Sequence, residues 1–387
     1  MTAVWAAFAW TQATGTGTFD RFHKLRGMDF VQFYAAGAIV ADGRARELYD
    51  WDRFQAALST LVPGLGDVRY LPIYPPQTAL VFVPFAPLPY LGALAFWCVV
   101  SATLYLAALA VLWRSLPALR MYRTEALALA LGFPAFVQVI AHGQIGTLGV
   151  PLLVLAWFGV RDGRPLLVGV ALGSLFFKPQ LGTLALAALL LMPSLPLLAG
   201  LVIGAGLQVL VAGVVYGWSI WLQYYEVIVT VASDVGSFEP KLWAMHSLRG
   251  AALLLAGHSP VTTGVWIALL GVAAVLARRA SASGVAPEIT FVAICLLGML
   301  ANPHLYVYDL VLLAVPLAVL ASWLASHPEV APGSTAPLAY ALVWLPLIGP
   351  LAAITHVQLT APAMMGLLWA LGHSPRPLVR TLAGASS

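Results

Sequence analysis

Charge is what this sequence lacks most. Only 9% of its 387 residues are Asp, Glu, Lys or Arg, against about 25% in an ordinary soluble domain. With 61% hydrophobic residues and a mean hydropathy of +0.90, the chain cannot hide its apolar surface in one water-facing globule. The composition predicts an all-α polytopic transmembrane helix bundle of about 10–12 membrane helices. Cysteine is nearly missing too. Cys98 and Cys295 both sit in apolar runs, which excludes a disulfide framework and a metal-binding spacing. There is no P-loop, no HExxH, no GxSxG and no pair of CxxC motifs, so chemistry on a cytosolic nucleotide has no support. The polar loops hold no clustered carboxylate–histidine set, and neither a metal nor a cofactor is expected. The formal net charge of +4 does not imply nucleic acid, because basic residues are expected in the cytoplasmic loops of a membrane protein.

What is there is unevenly distributed. Residues 17–70 form the longest polar stretch, with seven basic residues (Arg21, Lys24, Arg26, Arg44, Arg46, Arg53, Arg69) and seven acids (Asp20, Asp29, Asp42, Glu47, Asp50, Asp52, Asp67). So balanced a segment reads as a small folded element with amphipathic helices near 29–41 and 47–61. The first carries Phe30, Phe33, Tyr34 and Gly37 at helical spacing, and both are expected to lie along the membrane surface. The run before it, "MTAVWAAFAWTQATG", offers about twelve apolar residues where a spanning helix needs about 20. It reads either as a first helix cut short or as a short, tilted one. Beyond "YPPQTALVFVPFAPLP", apolar runs follow as far as residue 372. Several are shorter than a full span, with breaks expected around Gly143 and Pro179.

Orientation follows from the basic residues. Arg114, Arg120 and Arg123, then Arg161 and Arg164, then Arg278 and Arg279, then Arg376 and Arg380 form four acid-poor clusters. The positive-inside rule assigns all four to the cytoplasm. Counting crossings between them places the remaining polar segments on the other side: the 17–70 loop, 141–146, 178–180, the 217–247 loop and 302–309. The chain reads as a single membrane domain over 1–387, in the plasma (inner) membrane, with no internal repeat and with its unusual polar residues on the extracytoplasmic face.

Those residues carry the candidate chemistry, each with a plainer reading beside it. Lys178 interrupts an apolar run and is followed by Pro179. It either binds an anion at a broken helix or snorkels to the interface. Asp29 starts a helix, where it serves as an N-cap or as a general base for a hydroxyl. Arg249 in "MHSLRG" has the planar fork that suits phosphate, or is a solvated loop arginine. His304 in "NPHLYVYD" could donate to a phosphate or simply sit at the interface. His142 and Gln144 in "HGQIG" could bond a sugar or cap a helix end.

In this order, the segments form a recognisable set: "MDFVQFYAAGAIV", "YPPQTALVFVPFAPLP", "HGQIGTLGVPLLVLAWFGVRDGRPLLVGVALGSLFFKPQ", "MHSLRG" and "NPHLYVYDLVLL". Over roughly residues 26–325 the chain resembles the GT-C membrane glycosyltransferases. In particular it resembles the polyprenol-phosphate-mannose-dependent α-mannosyltransferases, which include the mycobacterial phosphatidylinositol-mannoside enzymes. The resemblance implies that a hexose, by family default mannose, passes from a polyprenyl-phosphate donor to a hydroxyl of a lipid or cell-envelope glycan, with inversion. It makes Asp29 the catalytic base and assigns Lys178 and His304 to the donor's phosphate side; Arg249, His246, Gln144 and Tyr34 complete the candidate set for the donor's phosphate or sugar. The implied partners are the lipid-linked sugar, its acceptor and membrane lipids. One departure stands out: the segment at 245–248 more usually reads Asn-Gln-Ser-Leu, whereas here Met245 and His246 replace the first two residues. The rival reading is a transporter or flippase of a lipid-linked glycan, against which stand the missing repeat and the gathering of polar groups on one face.

Overall fold

The computed structural model describes residues 2–65, 69–233, 239, 241–282, 286–329 and 333–373. Arg376 and Arg380 of the fourth basic cluster, and Asp67 of the polar loop, lie outside them. Among the described residues there is no β-strand. The extended pairings among these residues are isolated bridges, Phe19 with Leu25 and Met245 with Tyr306. This is the all-α architecture that composition demanded, because a backbone without water must satisfy its own hydrogen bonds.

Among the described residues, six helical stretches are long and apolar enough to cross a membrane: Tyr90–Arg114, Pro117–His142, Leu195–Tyr216, Pro260–Ala280, Val307–Ser326 and Thr335–Thr355. Shorter apolar helices stand between them, including Gly146–Arg161, Pro165–Phe177, Pro179–Leu191, Pro287–Ala301 and Thr360–Gly372. Large apolar side chains face outward along the long helices, among them Leu195, Val202, Leu207 and Val214. In water such a surface would aggregate; in lipid it is solvated. Inside, one continuous apolar cluster runs from Leu25 to Leu371.

Both expected breaks occur. Gly143 ends helix Pro134–His142 in the left-handed conformation, with φ +66°. Lys178 separates two short 3₁₀ turns with φ −137° and ψ 85°, because Pro179 disfavours the helical conformation in the residue before it.

The chain alternates between two ends of the bundle. Arg114, Arg161, Arg278 and Arg279 occupy the last turns of their helices, where positive charge complements the helix dipole. Arg278 donates to the Leu190 carbonyl at 2.8 Å, joining two of these termini. The other end receives the segments after Gly143, Lys178 and Ala301. Glycines let two parallel helices meet on that path. A Cβ at Gly169 would lie 2.2 Å from the Leu197 carbonyl oxygen, and one at Gly200 would lie 2.3 Å from that of Leu166.

The polar loop folds as two helices, Phe30–Ala41 and Trp51–Leu61. The second is amphipathic as expected, burying Phe54, Ala57 and Leu58. The first departs from expectation. Eight of its twelve residues are buried, so it packs inside the bundle rather than lying along a surface. Phe30, Phe33, Phe82 and Trp97 interlock there, the Phe33 and Phe82 rings stacking at 5.1 Å. Aromatic area of this kind is worth more inside the core than at an interface.

Candidate active site

Asp29 immediately precedes helix Phe30–Ala41, yet its side chain makes no capping bond. Its backbone N–H donates to the His142 carbonyl at 3.0 Å. Its Oδ2 accepts a hydrogen bond from Gln144 Nε2 at 2.9 Å. Gln144 is 1% exposed and is itself held, since its Oε1 accepts from the Ile145 N–H at 3.2 Å. The turn at Gly143 makes this possible: a Cβ there would come within 2.5 Å of Phe30 Cβ. The result is a half-buried carboxylate oriented by a buried amide. Its second oxygen has no role in holding the helix end.

A wall of tyrosines extends from this carboxylate. The Tyr74 hydroxyl lies 3.5 Å from Gln144 Nε2, and Tyr70 OH donates to the Met28 carbonyl. Burial first, and the charge of Asp29 second, push both phenols above their usual range. The His142 ring stands 5.8 Å from that of Tyr308. Tyr308 stacks on Tyr306 at 5.6 Å, and Tyr306 meets His304 at 4.6 Å. Burial raises the Tyr306 phenol to about 12, with added contributions from Glu239, Asp29 and Asp309. Tyr74 also lines a shallow, mostly apolar recess with Gln32, Phe33, Tyr49 and Phe82, with room for little more than a water-sized group.

Lys178 is neither snorkelling nor free. It is 1% exposed and forms a buried ion pair with Asp309, whose side chain is equally buried. Its Nζ lies 4.8 Å from the centre of the Tyr308 ring. The other Asp309 oxygen accepts the Tyr306 N–H at 3.2 Å. The pair thus fixes the backbone that presents Tyr306 and Tyr308.

Arg249 and His304 converge on a residue the sequence reading did not select. Arg249 Nη1 donates to the two Glu239 oxygens at 2.9 and 2.8 Å, and His304 Nδ1 meets Oε1 at 2.8 Å. Burial works to raise the Glu239 carboxyl, but the hydrogen bonds from His304 and Arg249 prevail and hold it below its ordinary value. Glu239 shares the 217–247 segment with Glu226, Asp234 and Lys241, a few residues before "MHSLRG", so nothing in its sequence position singled it out. Asp309 had a stronger one, since an intramembrane lysine calls for a counter-charge and Asp309 closes the "NPHLYVYD" motif.

Two sequence-selected residues lie elsewhere. His246 is fully buried. Its Nδ1 meets Thr360 Oγ1 at 2.9 Å, and its N–H donates to the Leu305 carbonyl at 2.8 Å. Burial pushes the imidazole down to about 3. It braces the loop that carries Arg249 and offers no surface to a ligand. Tyr34 is 4% exposed and donates to the Leu88 carbonyl at 2.6 Å, with its ring against Phe30 and Tyr90. It locks the first helix to the bundle, because a buried phenol needs an acceptor and finds it away from Asp29.

Among the described residues, a helical bundle with membrane-spanning segments thus holds one positioned carboxylate, Asp29, while Arg249 and His304 cluster on a second, Glu239. The chain belongs to glycosyltransferase family 87, whose model matches residues 73–303, and it is a membrane glycosyltransferase. The matched region contains Gln144, Lys178, Glu239, His246 and Arg249, ends one residue short of His304, and begins after Asp29. No curated protein and no solved structure matches the chain.

Proposed function

We propose that the protein is a GT-C type glycosyltransferase that moves a hexose, mannose by resemblance, from a polyprenyl-phosphate donor to a hydroxyl of a lipid or glycan acceptor. The reaction takes place on the extracytoplasmic face of the plasma membrane. The observation that carries this reading is the Asp29 carboxylate. It is half-exposed, released from helix capping and aimed by Gln144, and the tyrosine wall links it to Arg249 and His304.

In this reading the acceptor O–H gives its proton to Asp29 as the oxygen attacks the anomeric carbon. The new C–O bond forms as the bond from that carbon to the phosphate oxygen breaks, and the electron pair leaves with the prenyl phosphate. One displacement inverts the configuration through an oxocarbenium-like transition state. Arg249 and His304 stabilise the charge gathering on the departing phosphate. Lys178, neutralised by Asp309, acts by holding the Tyr306–Tyr308 segment rather than by touching phosphate.

The test is transfer in detergent from radiolabelled polyprenyl-phosphate-mannose, with products identified by mass spectrometry. Label appearing in a new glycosidic bond, and lost in Asp29→Asn, is the expected result. Undiminished transfer by Asp29→Asn would remove Asp29 from the mechanism. Movement of the donor across vesicles without a new bond would favour a flippase.

A further inference from the structure

Glu239 is a buried carboxylate that the proposed reaction does not use. Both of its oxygens are held by side chains carried on other segments, Arg249 and His304. Arg249 also donates to the Pro303 carbonyl at 3.1 Å. It stands in the first turn of helix Leu248–Ala256, where unpaired N–H groups already give partial positive charge. A cation there is unfavourable unless an anion accompanies it, and the fold supplies one. The cluster is not sealed: the His304 side chain remains 30% exposed, against 5% for Glu239. An anion arriving from outside can reach the same donors.

We infer that Glu239 is an internal occupant of the phosphate site, a carboxylate that holds Arg249 and His304 until a phosphate group takes its place. The inference rests on the reading of Arg249 and His304 as phosphate ligands given above. A carboxylate and a sugar phosphodiester both carry a single negative charge and accept charge-assisted N–H bonds through two oxygens. Donor binding is then an exchange in which Arg249 and His304 keep an anionic partner throughout and stay oriented. The exchange also acts on the product. Once the sugar leaves, the prenyl phosphate is a monoester with a charge of about −1.5 to −2 at neutral pH. Arg249 and His304 would hold it more tightly than the donor. A carboxylate competing for the same N–H groups helps to expel it and resets the site.

The experiment titrates farnesyl phosphate into the full-length protein in detergent, read by calorimetry, alongside steady-state kinetics with the lipid-linked donor. A site open about a tenth of the time binds about tenfold more weakly than an empty one. Glu239→Gln should therefore bind farnesyl phosphate about tenfold more tightly than the unaltered protein. Its kcat and KM should fall together as product release slows. Its melting temperature should drop without the probe and recover with it. Unchanged or weaker binding by Glu239→Gln, with binding lost in Arg249→Gln, would make Glu239 a structural tie and overturn the inference while leaving the phosphate site in place. Binding unaffected by both Arg249→Gln and His304→Gln would overturn the phosphate site and the inference together. If Glu239→Gln does not fold, Glu239→Asp, with a shorter reach to both cations, should tighten binding by a smaller factor. No tightening in that variant would equally overturn the inference.

Discussion

Gln144 donates to Asp29 at 2.9 Å across 115 positions of sequence, and this single bond orients the carboxylate on which the proposed reaction depends. Asp29→Asn should lower transfer by roughly 10²–10⁴-fold, the usual contribution of a general base. Gln144→Leu keeps the carboxylate but removes its guide, and should lower kcat by about tenfold. Asp29→Asn should leave expression and the melting temperature close to unaltered, whereas Gln144→Leu, which also strips the buried Ile145 N–H of its acceptor, should lower the melting temperature. Equal activity of Gln144→Leu and the unaltered protein would show that Asp29 does not need this orientation.

The Lys178–Asp309 pair is a stability element as well as a scaffold for Tyr306. Lys178→Met alone leaves a buried carboxylate without its counter-charge, which costs about 3–5 kcal/mol in buried pairs. In the double variant Lys178→Met with Asp309→Asn, the amide oxygen still accepts the Tyr306 N–H. That protein should recover most of the loss. Thermal unfolding of both in one detergent makes the comparison, and additive losses would mean that the two residues do not act as a pair.

His246 gives the fold a pH dependence of calculable sign. Its imidazole stays neutral in the folded protein down to about pH 3, whereas an unfolded chain protonates histidine near 6.5. Below 6.5 the unfolded state binds the extra proton, so stability falls with falling pH by at most about 1.4 kcal/mol per unit; above 6.5 the contribution is complete. Glu239, held below its ordinary value, contributes above about pH 4.5 and loses its effect only as pH falls further. A melting series from pH 7.5 to 5, run on the unaltered protein and on His246→Gln side by side, isolates His246 by difference. His246→Gln should flatten the slope, and an unchanged slope would assign it to other groups.

The close approach at Gly169 and Gly200 sets the spacing between helix Leu195–Tyr216 and helix Pro165–Gly173. An added methyl at either position meets backbone, not a side chain able to swing away. Gly169→Ala and Gly200→Ala should each destabilise by about 1–3 kcal/mol. Gly206, on the same long helix with no neighbour within 4 Å of a built Cβ, is the control: Gly206→Ala should be neutral or slightly stabilising.

The sequence by itself determined the solvent and therefore the fold class. So few charges leave helices as the way to satisfy the backbone in lipid, and the apolar runs, Pro179 and Gly143 mark where those helices stop. It also located the segments of the site, because a polar residue in so apolar a chain stands out wherever it falls. It could not say which polar side chains meet. Asp29 as cap or free carboxylate, and Lys178 as lone cation or neutralised partner of Asp309, are alternatives separated only by contacts between residues more than a hundred positions apart. The same holds for His246, which has the composition of a ligand-binding residue and the surroundings of a core one. Burial and counter-charge are properties of packing, and packing is decided when distant helices settle against each other at 3 to 4 Å.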